Sequence, residues 1–345
     1  MNAPPEKILA VQFKYFGDAV LLTPALRAIH EHFPGAALDI LVPEEISPIF
    51  QHLPWFHRVW PMRRRRGRAT LRENWPIIRA LRRERFDGSV DFASNDRGAI
   101  VSRMIGARRR LGWDEAGGFF GRRFCYTERV PPPGGVLYEP ARLAALLSAW
   151  NVPPPDSLEL EIRADPALGD AAKNVLGMER AVICHAASSQ PNREWPLSHW
   201  AKFQQLAAGA GMNVAFTTAL GQRGVSQMTD LKKLASVAII LPPIPRLPLF
   251  LALLARASAF ISGDTGPLHF AAGLGVPTIS LFGPSSAARW APIGNRHKAL
   301  EVKTCSCGAS ASVCHGANHC LAAISPEQVF ACLADLCSRT IKAEA

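Results

Sequence analysis

Short apolar runs alternate with helical patterns along the first half of the chain. After the first of these runs, apolar residues between positions 22 and 29 recur at helical spacing until Pro34 and Gly35 end the pattern. Such alternation predicts a mainly parallel sheet covered by helices. The runs are KILAVQF at 7–13, LDILV at 38–42, HRVW at 57–60 and GSVDF at 88–92.

The same alternation restarts in the second half, after the segment NVPPPDSLELEI at 151–162. Three consecutive prolines forbid a regular helix there and suit a link between domains. The second-half runs are AVICHA at 181–186, NVAFTT at 213–218, VAIIL at 237–241, AFISG at 259–263 and PTISLF at 277–282. We therefore predict an α/β protein with two Rossmann-like domains, at 1–160 and 161–325, and a closing helix within 326–345.

Length and composition agree with this division. The 345 residues suit two domains of about 150 residues each. A hydrophobic content of 48% with 19% charged residues is typical of a soluble globular protein, and no apolar run approaches the roughly 20 residues that span a bilayer. The beginning MNAPPEKILAVQF lacks the features of a secretory signal, so we expect a cytoplasmic protein.

The net charge of +11 is concentrated in the first half. Residues 1–150 contain 23 Lys and Arg against 15 Asp and Glu, and the remainder contains 16 against 13. Five of the arginines lie between Arg63 and Arg68. This basicity could attract nucleic acid, anionic lipid or a phosphorylated sugar, or it could be only a solvated arginine-rich surface.

Several common nucleotide-binding patterns are missing. The turn after the first strand is KYFGD, with one glycine, so it is not the GxGxxG of nicotinamide and flavin enzymes. The sequence has no GxxxxGK[ST] either, which argues against P-loop chemistry. It also has no Asp-x-Asp, so a metal bridge to a diphosphate has no obvious anchor.

The stretch SGDTGPLHFAAGLGVPTISLFGP at 262–284 predicts a phosphate site. Asp264, Thr265 and Gly266 stand where a strand gives way to a helix that we expect to open with Pro267 and Leu268. A helix N-terminus offers free N–H groups and partial positive charge to a phosphate. His269 lies one turn into the helix and points back to that end. The alternative is a capped buried helix with a core histidine.

A second polar cluster, CHAASSQPNREWPLSHW at 184–200, follows the first strand of the second half. His185, Ser188 and Ser189 supply short polar groups, and Arg193 can offer a bidentate cation to a diphosphate. Judged by residue type alone, an arginine such as Arg193 is more often a surface charge, and a tryptophan such as Trp195 is more often a core residue.

These stretches, together with FKYFGDAVLLTPALRA near the N-terminus, resemble the heptosyltransferases of lipopolysaccharide core assembly, glycosyltransferase family 9, and most of all their heptosyltransferase III branch. The resemblance implies a GT-B fold with two parallel sheets facing across a cleft. The first domain would bind the acceptor and the second the nucleotide sugar, and the closing helix at 326–345 would pack back on the first domain. It also implies inverting, metal-independent transfer of heptose from an ADP-heptose donor. The implied acceptor is a lipid-linked core oligosaccharide at the inner face of the cytoplasmic membrane, where the enzyme would be peripheral.

The resemblance also assigns roles by position. Asp18 matches the general base, and Arg193 stands where a lysine often occurs. The family's ribose-binding glutamate is missing from the loop ALGQRGVSQ, where Gln222 is the candidate substitute. The predicted substrate-binding residues are Gly17, His185, Ser188, Ser189, Arg193, Gln222, Asp264, Thr265, Gly266, Pro267 and His269.

The chemistry needs only one carboxylate. Inverting transfer requires a base for the attacking hydroxyl and positive charge for the departing diphosphate, and Asp18 can supply the first. Because a helix N-terminus favours its charged form, we expect substrate to desolvate Asp18 and oppose that effect. The alternative role for Asp18 is a plain helix cap.

Four cysteines near the C-terminus lie close together in the sequence. Cys305, Cys307, Cys314 and Cys320, with His315 and His319 between them, form C-x-C-x6-C-x5-C, which departs from common zinc spacing. Unligated thiols are preferred over a structural metal, so we predict no metal and no cofactor. The other four, Cys125, Cys184, Cys332 and Cys337, are expected to be small buried residues.

Two other functions compete with heptosyl transfer. One keeps the GT-B fold but changes the sugar or the chemistry, as in an epimerase. The other is a basic binding module for anionic lipid or nucleic acid, but it leaves both phosphate-like loops unexplained and lacks the interleaved aromatic residues that stack bases. The predicted partners are thus a nucleotide-sugar donor, a lipid-linked acceptor and, transiently, an anionic membrane surface helped by Trp55 and Phe56, and not nucleic acid.

Overall fold

A computed structural model of the protein describes residues 4–63, 71–188, 190–302 and 320–344. The chain divides into two compact units, Met1–Leu158 and Glu159–Ala345. The division falls in the proline-rich stretch, which has no regular secondary structure, two residues before the boundary predicted from the sequence.

Unit 1 contains one six-stranded parallel sheet. The strand order is β3-β2-β1-β4-β5-β6. The strands are β1 (Lys7–Val11), β2 (Ala37–Pro43), β3 (Phe56–Met62), β4 (Gly88–Asp91), β5 (Arg109–Trp113) and β6 (Glu128–Val130). The helices are α1 (Phe16–Leu21), α2 (Thr23–His32), α3 (Leu71–Arg83), α4 (Asp96–Ile105) and α5 (Glu139–Ala145), with short 3-10 helices at Ser47–Ile49, Arg122–Cys125 and Leu146–Trp150.

Unit 2 repeats this architecture with strand order β12-β11-β10-β7-β8-β9. The strands are β7 (Ala181–His185), β8 (Val214–Thr217), β9 (Ile239–Ile240), β10 (Ala257–Gly263), β11 (Thr278–Phe282) and β12 (His297–Glu301). The helices are α6 (Gly169–Leu176), α7 (Leu197–Gly209), α8 (Gln222–Leu234), α9 (Leu247–Leu254), α10 (Gly266–Gly273), α11 (Ala287–Trp290) and α12 (Pro326–Glu344), with 3-10 helices at Pro166–Leu168, Pro191–Arg193 and Cys320–Ala323. The predicted α/β class with two parallel sheets is confirmed.

The closing helix α12 belongs to unit 2 in this structure. It packs against α7, and Val329, Leu333 and Leu336 are part of the unit 2 core. That α12 also packs back on the first domain, as the resemblance implies, stays a prediction. The apolar face of α12 is buried by unit 2 itself.

The strand order puts one topological switch point in each sheet. In unit 1 the neighbours β1 and β4 mark the point where the chain reverses direction across the sheet, and in unit 2 the neighbours β7 and β10 do so. Open parallel sheets bind ligands in the crevice beyond the carboxyl ends of such strands. Both polar clusters identified in the second half of the sequence follow β7 and β10, so the fold brings them together.

Two expectations about individual side chains are corrected. Cys332 and Cys337 are partly exposed, whereas Cys125 and Cys184 are buried as predicted. Trp55 and Phe56 are partly buried, because Phe56 packs edge-on against the core residue Phe50 at 5.6 Å between ring centroids. Within the described ranges, no helix is both long enough and apolar enough to span a bilayer.

Candidate active site

The turn between β10 and α10 is the centre of the candidate site in unit 2. Helix α10 begins at Gly266, with Thr265 in the N-cap position and Pro267 as its second residue. The helix therefore starts one residue earlier than the sequence predicted. Thr265 makes no side-chain cap bond and instead donates to the Ser262 hydroxyl at 3.5 Å. The N-cap side chain therefore makes no capping bond to the first turn of α10.

The loop after β7 lies directly on the end of β10. A Cβ atom added to Gly263 would come within 2.4 Å of the backbone oxygen of Arg193. Only glycine permits this approach, since two non-bonded heavy atoms cannot lie so close without moving. Gly263 thus sets the distance between the two polar clusters.

An ion pair joins the two clusters. The Arg193 Nη1 atom donates to the Asp264 Oδ2 atom at 2.8 Å. The side chain of Asp264 is 8% exposed and that of Arg193 30% exposed, so the pair is shielded from most of the solvent. Arg193 keeps donors in reserve, because its buried Nε atom has no hydrogen-bond partner in the described structure.

His269 provides a second unpartnered polar atom beside Asp264. Burial lowers the pKa of His269 to about 4, although the nearby Asp264 carboxylate acts in the opposite direction. The imidazole is therefore neutral at pH 7, and its buried Nδ1 atom has no partner among the described residues. Buried polar groups are normally paired, so this nitrogen in the first turn of α10 is suited to bind a ligand.

His185 is held in one orientation at the end of β7. Its Nδ1 atom lies 2.9 Å from the Thr217 hydroxyl, which itself donates to the backbone oxygen of Cys184 at 3.4 Å. Because the hydroxyl hydrogen is used there, Thr217 accepts from Nδ1. Burial lowers the pKa of His185 to about 4, so it is neutral at pH 7.

In unit 1, Gly17 and Asp18 lie in the first turn of α1, which follows β1. The Asp18 Oδ2 atom accepts the backbone N–H of Tyr15 at 3.3 Å. Burial raises the pKa of Asp18, and the negative charge of Glu139 adds to that effect against the opposing influence of Lys14. The sequence analysis expected desolvation only with substrate bound, whereas the fold already supplies it.

Comparison with known proteins decides the family. Residues 75–316 match the model of glycosyltransferase family 9 (heptosyltransferase), which is more than half of the chain. The chain belongs to glycosyltransferase family 9. It is therefore a glycosyltransferase, as the sequence resemblance implied.

Individual relatives agree with this membership. The chain is 22% identical over 300 residues to the lipopolysaccharide heptosyltransferase 3 of Escherichia coli, covering 82% of this chain and 85% of that protein. It is similar to the solved structure of the E. coli ADP-heptose LPS heptosyltransferase II, with a TM-score of 0.79, 20% identity and coverage of 98% and 100%. It is also similar to an E. coli heptosyltransferase solved with ADP-2-deoxy-2-fluoro heptose, with a TM-score of 0.71, 19% identity and coverage of 95% and 99%. These likenesses confirm the predicted GT-B fold.

The structure of this family 9 enzyme adds Glu194, which the sequence analysis did not single out. One Glu194 carboxylate oxygen accepts the backbone N–H of Ser188 at 2.8 Å. The other accepts Arg223 Nη2 at 2.6 Å and Gln227 Nε2 at 3.1 Å. Glu194 thereby ties the Ser188 loop to the first turns of α8. No local sequence signal marks Glu194, because the side chains that it binds, Arg223 and Gln227, lie about 30 residues away in sequence.

The remaining predicted donor residues have different environments. Ser188 is buried, and its hydroxyl accepts the backbone N–H of Gln190 at 3.3 Å. Gln222 is the exposed first residue of α8, next to Arg223, which also donates to the backbone oxygen of Ser188 at 3.2 Å. Ser189 lies outside the described residues, as do Cys305, Cys307, Cys314, His315 and His319. Elsewhere in the described chain, no cluster of three or more His, Cys, Asp or Glu side chains is arranged to hold a metal.

Unit 1 also holds a fully buried carboxylate at the end of β4 that the sequence did not reveal. Asp91, the last residue of β4, accepts the hydroxyl of Tyr126 at 2.7 Å and the backbone N–H of Ala93 at 2.9 Å. Burial raises the pKa of Asp91 to about 6, because these two bonds only partly offset desolvation. Asp91 lies at the switch point of the first sheet, next to the strand that leads to Asp18.

The charge of Glu139, which acts on Asp18, is held in place by a polar network. Glu139 is buried and pairs with Arg142 at 3.2 Å, and Arg142 also binds Glu115 at 2.7 Å. The Arg142 guanidinium additionally lies over the ring of Trp113 at 5.1 Å. Two carboxylates and an aromatic ring therefore fix the position of Arg142. Because Arg142 pairs with Glu139, it also fixes the carboxylate whose charge raises the pKa of Asp18.

Proposed function

We propose that the protein transfers heptose from an ADP-heptose donor to the lipopolysaccharide inner core, with inversion and without a metal ion. Family membership supports a heptosyltransferase, and the relatives named above include one solved with an ADP-heptose analogue. The heptosyltransferase III branch stays a prediction from the sequence.

One observation carries the donor assignment. Asp264 is flanked by two polar atoms that have no partner among the described residues, Arg193 Nε and His269 Nδ1, beside a helix N-terminus that its own N-cap side chain leaves uncapped. A diphosphate matches this set, since it brings several oxygen acceptors and negative charge to the guanidinium, the neutral imidazole and the Gly266 N–H. We assign the donor diphosphate to this turn and its nucleoside to the neighbouring side of unit 2 that carries His185, Ser188 and Gln222.

The proposed reaction is a single displacement. The acceptor hydroxyl oxygen bonds to the anomeric carbon as the bond from that carbon to the diphosphate oxygen breaks, and the hydroxyl proton passes to the Asp18 carboxylate. Two electrons leave with the diphosphate, whose added charge is stabilised by Arg193 and the start of α10. The raised pKa of Asp18 makes it a stronger base than an exposed carboxylate.

Charge neutralisation without a metal relies on this cationic set. The guanidinium of arginine is a permanent cation, and the pairing of Arg193 with Asp264 fixes its position before the donor binds. The residues of the turn are thus suited to hold the leaving group by themselves.

The acceptor side is proposed for unit 1. Its excess of arginine suits phosphorylated inner-core sugars and the anionic surface of the membrane that carries them, which would place the enzyme peripherally at the cytoplasmic face.

A donor and acceptor screen tests the proposal. Purified protein is given ADP-heptose or UDP-N-acetylglucosamine, with and without delipidated core oligosaccharide, and products are measured by mass spectrometry. The proposal expects an added heptose that requires both ADP-heptose and acceptor. Turnover of the UDP-sugar without acceptor, as in an epimerase, or transfer from another nucleotide sugar would contradict it.

A further inference from the structure

A loop in unit 1 exposes three phenylalanines within six residues. The segment GGFFGRRF at 117–124, here called the Phe-Arg loop, follows β5. Phe120 is fully exposed, Phe124 is 66% exposed and Phe119 is 38% exposed. Single exposed apolar residues are ordinary, but three large rings on one loop form a patch of the kind that marks an interaction site.

The backbone is shaped to keep these rings outside the core. Gly117, Gly118 and Gly121 have φ values of 102°, 83° and 98°, which L-residues rarely adopt. Gly118 also has no room for a side chain, because a Cβ atom there would lie 2.5 Å from Asp96 Oδ1. The same Asp96 oxygen accepts the backbone N–H of Phe119 at 3.3 Å. The base of the loop is therefore fixed, and its tip projects.

Positive charge surrounds the rings. The Arg123 guanidinium lies over the ring of Phe124 at 4.9 Å. Arg103, Arg110 and Arg122 all act electrostatically on Cys125, the residue directly after the loop. In the part of the chain that the structure describes, neither Arg103 nor Arg123 forms an ion pair with a carboxylate. Their charge is available to an external anion.

We propose that the Phe-Arg loop docks on an anionic bilayer, with its phenylalanines in the acyl–headgroup boundary and the surrounding arginines on lipid phosphates. Aromatic rings beside arginine are the side chains that favour this boundary, and each nearby Lys or Arg contributes about 1 kcal/mol on an anionic surface. The phenylalanine side chains themselves offer no hydroxyl or amide for hydrogen bonds to a sugar. Three rings also supply far less area than the roughly 800 Å² per partner of a stable protein interface.

The Phe-Arg loop lies at the edge of the first sheet that carries Asp18. Arg122 Nη2 donates to the Ser94 hydroxyl at 3.4 Å, so the loop is attached just beyond the carboxyl end of β4. Because β1 and β4 are parallel neighbours, the turn that carries Asp18 lies at the same edge of the sheet. A bilayer bound by the loop would present lipid-linked molecules to that edge. Only this benefit rests on the proposed function; the docking itself does not.

This surface differs from the one expected from sequence. The earlier expectation used the arginine run at 63–68 with Trp55 and Phe56, whose rings are partly buried. Of that run only Arg63 lies within the described residues. The Phe-Arg loop offers both apolar rings and cations in one described segment.

Vesicle co-sedimentation tests the proposal. The full-length protein is mixed with vesicles of phosphatidylcholine alone or with about a third phosphatidylglycerol. We expect binding to the anionic vesicles, weakened about tenfold by the double variant Phe120→Ser with Phe124→Ser. Arg103→Ser with Arg123→Ser should remove the preference for phosphatidylglycerol. Val237→Ser, which changes an exposed apolar residue of unit 2, is the matched control and should bind like the original protein.

Two outcomes would overturn the docking proposal. One is vesicle binding that the phenylalanine and arginine variants leave unchanged. The other is self-association, seen by sedimentation velocity without lipid, that the phenylalanine variant abolishes, because the loop would then bind a second copy of the chain.

Turnover with delipidated acceptor separates this proposal from the proposed function. The phenylalanine variant should keep that turnover while losing transfer to acceptor embedded in vesicles. If no heptosyl transfer is detected but vesicle binding still depends on the phenylalanines, the docking surface stands and the proposed function fails.

Discussion

Arg193 donates to Asp264 at 2.8 Å and so links the loop after β7 to the turn after β10. The pair is formed by two residues that both belong to the proposed diphosphate site. Asp264 holds the guanidinium in place. The Nε atom of Arg193 has no partner in the part of the chain that the structure describes, so the side chain can bind a further anion.

Replacing Arg193 by alanine should weaken donor binding. A hydrogen bond to a charged group is worth about 1.5–3 kcal/mol, so the Kd for ADP-heptose should rise roughly 10- to 100-fold in isothermal titration. Lys233→Ala, which removes an exposed cation paired only with Asp230, serves as the control and should leave the Kd unchanged. An unaltered Kd in the Arg193 variant would remove this residue from the donor site.

Gly263→Ala should disturb the same site, because the added methyl group would clash with the backbone of Arg193. Its Cβ would meet the Arg193 carbonyl at 2.4 Å, and a backbone atom cannot move as freely as a flexible side chain. Overpacking of this kind costs about 1–3 kcal/mol of folding free energy, measurable by urea unfolding, and donor affinity should fall as well. Gly209→Ala, in the last turn of α7 with no atom within 4 Å, should cost nothing. Equal stabilities of the two variants would contradict the close approach.

Asp91 should make the protein less stable as the pH rises from about 4 to about 6. Its pKa is about 6 in the fold against an ordinary 3.8, so the folded state binds the proton more tightly than the unfolded state in this window. The contribution of the protonated Asp91 to the free energy of unfolding is fully present below pH 3.8. About 3 kcal/mol of it is lost by the time the pH exceeds 6.

The histidines act in the opposite direction over the same range. Burial lowers the pKa of His185, His269 and His297 to about 4, so their contribution is lost as the pH falls from about 6.5. The effect of Asp91 is therefore read from the difference between the original protein and Asp91→Asn in urea unfolding at several pH values. A difference that does not change between pH 4 and 6.5 would show that Asp91 is not protonated preferentially in the fold.

Glu139→Gln should lower the pKa of Asp18, because it removes a negative charge that disfavours the ionised carboxylate. The acidic limb of the pH profile of kcat/KM should therefore move to lower pH. Glu128→Gln, which alters the partly exposed partner of Arg109, is the matched control. If the acidic limb of the kcat/KM profile does not move in a folded Glu139→Gln variant, Glu139 does not influence the pKa of Asp18.

The strands that carry the site could be predicted from sequence, whereas several of its contacts could not. AFISG and AVICHA are continuous apolar runs, as buried parallel strands require, and both lie in the second sheet as β10 and β7. β5 was missed because RRLGW opens with two arginines, and β12 because HKALE is a polar edge strand. Their apolar signal is too weak to recognise without the neighbouring strand.

The missed side chains have distant partners. Asp91 meets Tyr126 across 35 residues, and Glu194 meets Arg223 across 29. Nothing local in the sequence distinguishes these carboxylates from exposed ones, because their environment is created only when the sheet order brings the segments together. Asp264 and Thr265 were found because a strand end followed by a helix start is itself a local pattern.

The central claim is that Asp18 removes the proton from the acceptor hydroxyl while unit 2 holds the donor. The most direct measurement compares Asp18→Asn with the original protein, by heptose transfer to delipidated acceptor and by titration with ADP-heptose. The account predicts a loss of transfer of at least about 100-fold with an unchanged donor Kd, since general-base catalysis contributes roughly 10²–10⁴-fold. Transfer within a few-fold of the original rate would contradict it.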